Sequence, residues 1–245
     1  MDYFRSEEKS LFEIWKALFL PSSEACNFVA DGVVDETEWF DTPFNILVLL
    51  KEVNGGEGGW DEREYLSGYY TEEKYINSHS PSIDALLYWL HGLFHCTSDM
   101  KWDDVCNSMT QENNAWLLRQ IAIVNVKKIP GAGVASMKDV DAFFNYGCNQ
   151  FFLSEQLDIY ENTNLVICGG TGYYLKNLNE KYSPEKWKKT HTGIEYLRIG
   201  NTVYLDFVHP LARIPKNILF YTLLETVEEI QRIEKTLIWV RPVEL

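Results

Sequence analysis

Three short apolar runs punctuate the chain: Asn45–Leu50, Ile121–Val126 and Leu165–Cys168, each bounded by polar or glycine residues. Apolarity that is continuous rather than alternating over so few residues predicts central strands covered on both faces, the pattern of a parallel sheet. A fourth run, Thr202–Val208, follows Gly200-Asn201 and is preceded by Ile194–Ile199. Two such runs about a Gly-Asn pair predict a hairpin. Helical periodicity fills the gaps. Ser80-Pro81 opens one helix, with Ile83, Leu86, Leu87, Leu90 and Phe94 on its apolar face and proline in the first turn. A second is expected from about Met137 to Tyr160, and a third from about Asn217 to Lys235 with Leu219, Leu223, Val227 and Ile230 inward. The opening stretch MDYFRSEEKSLFEIWKALFL reads as an amphipathic helix over 6–20 behind a Ser6 cap, burying Leu11, Ile14, Trp15, Leu18 and Phe19. With no repeat and no linker, one domain over 1–245 is expected, its core spanning about 44–236.

Strands alternating with helices imply an α/β sheet, whose ligand site lies beyond the carboxyl ends of the strands. The segments beyond those ends carry chemistry. The first strand runs into Lys51 and Glu52, then into a glycine-rich stretch, NGGEGG. The second, IAIVNVKKIPG, brings Asn125, Lys127 and Lys128 near the mouth, and the third ends in VICGGTG. The fourth delivers His209-Pro210. A carboxylate, an amide, a Gly-rich turn and an imidazole thus share one relative location. Singly, each has a plainer explanation: a strand-end acid in solvent, a turn-satisfying Asn, a packed His, solvated cations.

Net charge changes the picture of partners. With 22 Lys plus Arg against 36 Asp plus Glu, the net charge of −14 opposes a protein that coats nucleic acid. It leaves room for a small basic face, and KNLNEKYSPEKWKK is either such a face or a solvated loop. No apolar stretch is long enough for a membrane span. The N-terminus lacks a basic leader, and five unpaired cysteines predict free thiols in a reducing cytoplasm. The pair His91 and His95 has the i, i+4 spacing of a zinc site but no evident third ligand, so packing is expected. WDER at 60–63 is expected to cap a helix and meet solvent.

The stretches LLKEVNGG, IVNVKKIPG, VICGGTG and VHPLARIP stand in the order of the motifs of the uracil-DNA glycosylase superfamily, which the chain resembles over about residues 44–225. Those motifs are a Gly-Glu-x-Pro-Gly type run, an Asn-bearing strand, a Leu-Gly-x-x-Ala type turn and a His-Pro pair. NVKKIPG is similar to the Asn-Val-Val-Lys-Cys-Arg-Pro-Pro run of the thermostable branch. In that branch an aromatic follows the first carboxylate at the spacing that Tyr65 occupies here. Lys51 and Asn54 replace the family's Gly and Pro, and Leu-Ala replaces Ser-Pro after the His-Pro pair.

The resemblance implies a three-layer α/β/α fold around a central, mostly parallel four-stranded sheet. It implies hydrolysis of the N-glycosidic bond of uracil or a related damaged base in DNA, with no cofactor and no metal. The cysteines lack the spacing of the thermostable branch's iron–sulfur cluster, so none is expected. Glu52 would align water and stabilise a cationic sugar, and His209 would hydrogen-bond the base oxygen where negative charge develops. Asn125 would pair with the base edge, and Tyr65 would stack on a base taken out of its helix. Gly169, Gly170 and Thr171 would approach a phosphate, with Lys127, Lys128 and Arg213 as a basic rim. Two alternatives stay open: a non-catalytic member binding a free nucleobase or nucleotide, and an unrelated doubly wound enzyme acting on a small phosphorylated metabolite.

Overall fold

A computed structural model of the chain describes residues 3–54, 56–71, 80–95, 100–131, 133 and 135–235. The three apolar runs are strands, each a little longer than its apolar stretch. They are β2 (Ile46–Asn54), β3 (Ile121–Gly131) and β4 (Leu165–Gly169), following a two-residue β1 (Gly32–Val33). Later come β5 (Lys188–Lys189), β6 (Glu195–Ile199) and β7 (Thr202–Phe207). The last two form the expected hairpin, with Gly200 at φ 59°.

The expectation of a four-stranded sheet needs correcting: one seven-stranded mixed sheet runs in the order β1-β3-β2-β4-β7-β6-β5. β3, β2, β4 and β7 are mutually parallel and form its centre. β1, β6 and β5 pair antiparallel at the two sides. From β2 the chain passes to β3 on one side, then crosses back to β4 on the other, so the winding reverses at β2. A crevice beyond the carboxyl ends at such a reversal is the usual ligand position of this architecture.

Helices cover both faces. Ile46, Val48 and Leu50 join one hydrophobic cluster with Ile121, Ile167 and Leu205, whereas Leu47 and Leu49 join a second with Ala122 and Val166. This alternation explains the unbroken apolar runs, since both sides of each strand are buried. On the first face lie α5 (Pro81–His95) and α11 (Lys216–Glu234), through Leu86, Leu90, Leu223 and Val227. On the second lie α1 (Tyr3–Phe19), α8 (Met137–Phe144) and α9 (Asn149–Ile159), through Trp15, Val140 and Leu153. Shorter helices complete the chain: α2 (Ser22–Ala25), α3 (Glu36–Asp41), α4 (Glu62–Gly68), α6 (Trp102–Ser108), α7 (Gln111–Arg119) and α10 (Gly172–Lys176).

Three sequence expectations change. The single helix over 137–160 is α8 and α9, separated at Gly147, whose φ of 54° leaves the helical region. Helix α1 is already helical at Tyr3, ahead of Ser6, and the Glu36 carboxylate accepts the Tyr3 and Arg5 backbone N–H groups, each at 2.7 Å. A partner from another element thus caps these orphan donors. Its buried face is Phe4, Glu8, Phe12 and Trp15, while Ile14 and Leu18 are exposed. A buried acid, Glu8, holds a position that periodicity assigns to an apolar residue; the Phe19 side chain lies outside those described.

The corrected face sets a clear test. Trp15 has no solvent exposure, stacks on Phe152 at 5.3 Å and donates its indole N–H to Asn149 Oδ1 at 2.6 Å. Trp15→Ala should cost about 3–5 kcal/mol, and Leu18→Ala, at a position 69% exposed, no more than about 0.5 kcal/mol. Denaturant midpoints of the two variants measure the difference.

Candidate functional site

Segment 29–33 runs beside β3, with the Val29 N–H donating to the Lys128 carbonyl at 2.8 Å and Gly32 and Val33 pairing with Ile123 and Ala122. The same segment holds the start of α4, since Ala30 N–H donates to the Trp60 carbonyl at 3.1 Å and Glu62 N–H to the Ala30 carbonyl at 2.8 Å. These ladders bring residues 60–65 over the carboxyl ends of β2 and β3. There they help enclose a cavity of about 1190 Å³. Glu52, Tyr65, Asn125 and His209 all line it, and so do Trp60 and Glu62.

Glu52 lies on β2 directly opposite Lys127 of β3, and its side chain is 1% exposed. Lys127 Nζ donates to Glu52 Oε2, while Oε1 is buried without a partner. Charge is therefore compensated on one oxygen and a strong acceptor is left on the other. The carboxylate fits because residue 131 is glycine: a Cβ there would lie 2.1 Å from Oε1.

Asn125 is 2% exposed. Its backbone N–H donates to Asp31 Oδ2 at 2.7 Å, and its Nδ2 donates to Glu62 Oε2 at 2.6 Å and to Asp31 Oδ2 at 3.3 Å. Asn125 Oδ1 is buried and unpaired. Burial and the nearby Asp31 charge push the Glu62 carboxyl up to about 8.

His209 accepts the Leu211 backbone N–H at Nδ1, at 3.1 Å. An accepting Nδ1 makes Nε2 the protonated nitrogen of the neutral ring. Burial, and secondarily the Lys51 ammonium, hold the imidazole below its ordinary value, which preserves that neutral form. The His209 backbone and Cβ sit against the 169–172 turn: Gly170 has φ 73°, and a Cβ there would lie 3.1 Å from His209 Cβ. Tyr65 meets the edges of Trp60 at 5.7 Å and Tyr69 at 5.3 Å, forming an aromatic wall.

The phosphate-binding expectations fit less well. The Gly170 N–H is taken by the Cys168 and Phe207 carbonyls, both at 2.8 Å, and the buried Thr171 hydroxyl donates to the Leu49 carbonyl at 2.7 Å. Gly169 packs against Leu50 and Pro210. The turn supports His209 rather than offering an open cradle, and the smaller concavity beside it carries the carboxylates of Glu195 and Asp206. Lys128 cannot serve a rim: it is 1% exposed, with Nζ on both Asp31 oxygens at 2.6 and 2.7 Å. Lys127 is committed to Glu52, whereas Arg213 is exposed. Three of the five lysines of the run 176–189 are ion-paired, Lys176 with Glu195 and Asp206, Lys181 with Asp158 and Lys188 with Glu234.

WDER proves to be part of the site. Asp61 does cap α4 through the Arg63 N–H, but Glu62 and Arg63 are buried and Trp60 faces the cavity. The signal available was an aromatic beside acids immediately before a helix, within reach of a strand end. His91 instead contacts Ser108 Oγ at 2.9 Å and His95 stacks on Trp116. Among the described residues no three His, Cys, Asp or Glu side chains are grouped to hold a metal. Among the described cysteines, all free, Cys26 and Cys106 are exposed, Cys148 is half-buried and Cys168 is buried in β4; Cys96 lies outside the described residues. Comparison of the chain with protein-family models, curated proteins and solved structures found no match.

The Gly131–Glu52 contact is directly testable. Gly131→Ala should drive the carboxylate off Lys127 and cost about 1–3 kcal/mol. Gly133→Ala, where a Cβ would meet nothing within 4 Å, should stay within about 0.5 kcal/mol. Denaturation midpoints of both variants measure this.

Proposed function

We propose that the cavity is a nucleobase pocket and that the protein hydrolyses the N-glycosidic bond of uracil or a related damaged base in DNA. The observation that carries this reading is the convergence of Glu52, Asn125, Tyr65 and His209 on one cavity.

Breaking the bond between base and sugar leaves positive charge on the sugar ring and negative charge on the departing base. In this reading the Glu52 carboxylate, which lines the cavity, accepts a hydrogen bond from water and directs its oxygen at C1′, while its charge stabilises the sugar cation. As the C1′–N bond breaks, its electron pair leaves with the base. His209 Nε2–H then donates to the base oxygen on which the charge settles. A neutral imidazole suits this role, because it donates without having a proton to lose at neutral pH. Water supplies the hydroxyl to C1′; its proton passes through Glu52 to solvent, and the base anion takes one up. Trp60 and Tyr65 supply flat apolar surface for a base lifted from its stack.

A second reading is binding of a free nucleobase or nucleoside without hydrolysis. It is favoured by the committed donors of Gly170 and Thr171, by the enclosure of Lys128, and by the acids Asp61, Glu62 and Glu64 around the cavity. A phosphorylated metabolite finds less support, since the turn that would hold its phosphate has spent those donors internally.

Labelled single- and double-stranded oligonucleotides containing uracil, hypoxanthine or a mismatch, cleaved with alkali at abasic sites, test the proposal. Wild type should give product. Glu52→Gln should lower the rate by about 10²–10⁴-fold, and His209→Ala by about 10²–10³-fold. Absence of product from folded protein that still binds base selects the second reading. The pH profile adds a check. A depressed His209 pKa keeps the ring neutral as pH falls through the ordinary value of about 6.5. Activity should therefore persist there and fall only at lower pH; an acidic limb at or above that value contradicts the assignment.

A further inference from the structure

Lys51 is a cation that the mechanism above leaves idle. It follows Leu50 on β2, stands where the resembled family has glycine, and lines the cavity together with His209. The surroundings are closely packed. The Thr171 hydroxyl donates to the Leu49 carbonyl at 2.7 Å, and a Cβ at Gly169 would lie 2.8 Å from the Leu50 side chain and 3.4 Å from Pro210. The end of β2 is thereby laid against the His209-Pro210 segment, and Lys51 is the next residue out. Burial first, and then the Lys51 ammonium, hold the His209 imidazole below its ordinary value. Successive side chains of a strand point to opposite faces, so Lys51 diverges from Glu52, whose carboxylate is held by Lys127 against Gly131. Among the described residues Lys51 forms no ion pair, whereas Lys127, Lys128 and Lys176 are all committed. Its charge is therefore available to a ligand.

We propose that Lys51 is a further catalytic residue, whose ammonium takes up the negative charge of the departing base beside the His209 donor. The proposal deepens the hydrolytic reading above and rests on it. When the C1′–N bond breaks, its electron pair spreads over the ring nitrogen and the carbonyl oxygens of the base. His209 offers that charge one neutral N–H, and a charged donor forms the stronger hydrogen bond to an anion. The need is local: Glu52, Asp61 and Glu64 line the same cavity, and like charge opposes a departing anion unless a cation offsets it. Lys51 transfers no proton. It donates a hydrogen bond to a base oxygen, and the freed anion takes its proton from solvent as before. Because the contact is stronger with the anion than with the neutral base in DNA, it lowers the barrier rather than only adding affinity.

The test compares single-turnover cleavage of oligonucleotides carrying uracil or 5-fluorouracil by wild type, Lys51→Met and Lys51→Arg. Fluorine makes the base a more stable anion, so its departure needs less help. Lys51→Met keeps the approximate shape and removes the charge. It should slow uracil release by about 10²-fold and 5-fluorouracil release distinctly less. Lys51→Arg restores a cation and should recover most of the rate on both bases. A merely structural role would slow the two bases alike and would not favour arginine. An unchanged rate in Lys51→Met, or an equal loss on both bases, overturns the proposal. An equal loss that excess DNA abolishes overturns it too, and assigns Lys51 to a DNA phosphate instead. Absence of cleavage by folded wild type removes hydrolysis and the catalytic role together, a result distinct from an active enzyme indifferent to residue 51.

Discussion

The site depends on a lysine and an aspartate with almost no access to water. Lys128 and Asp31 are each 1% exposed and meet through both carboxylate oxygens. Burial pulls the Lys128 ammonium down, and the facing Asp31 and Glu62 carboxyls hold it up. A buried pair of this kind adds little net stability over apolar residues of the same volume, but removing one partner costs about 3–5 kcal/mol. Its structural consequence is positional. Asp31 receives Lys128 and Asn125 from β3 and Gln156 from α9. A second buried group, Glu8 with Arg63 and Tyr160, ties α1, α4 and the residue that caps the end of α9 together beside it. The polar ligatures thus join the second face of the sheet to the loop and helix that roof the cavity.

Around this anchor the parallel centre of the sheet does the coarse placement. Strands that run the same way end on the same edge, so residues far apart in sequence arrive together: Glu52 from β2, Asn125 from β3 and His209 just beyond β7. Glycine performs the fine placement at two points. Gly131 leaves space for a carboxylate, and Gly170 lets the segment after β7 close against the end of β4. The residues around the resulting cavity supply a carboxylate, an amide, an imidazole with a defined donor and an aromatic wall.

Much of this was legible in the sequence, for reasons particular to each element. Runs such as ILVLL and LVIC are unambiguous because strands buried on both faces need apolar residues at every position. The strand-end rule then located Glu52, Asn125 and His209 without knowledge of their contacts. Depth was not legible. Lys128, Glu62, Arg63 and Glu8 are as buried as the core, yet charge in a sequence reads as surface, because the partner that permits burial lies far away along the chain. The same blindness misassigned the buried face of α1, where Glu8 interrupts the apolar pattern, and allotted WDER to solvent. Two-residue strands such as β1 and β5 carry no periodicity at all. The 137–160 segment kept helical periodicity across a break whose only mark was Gly147.

The account stands or falls on whether His209 is a neutral donor facing a base. Nitrogen-15 spectra of the histidine ring at neutral pH report its tautomer directly, and titration with uracil reports its contact. The account predicts that Nε2 carries the proton, that Nδ1 stays unprotonated, and that the Nε2–H resonance shifts as uracil binds. A ring protonated on Nδ1, a doubly protonated ring, or a resonance indifferent to saturating uracil would contradict it.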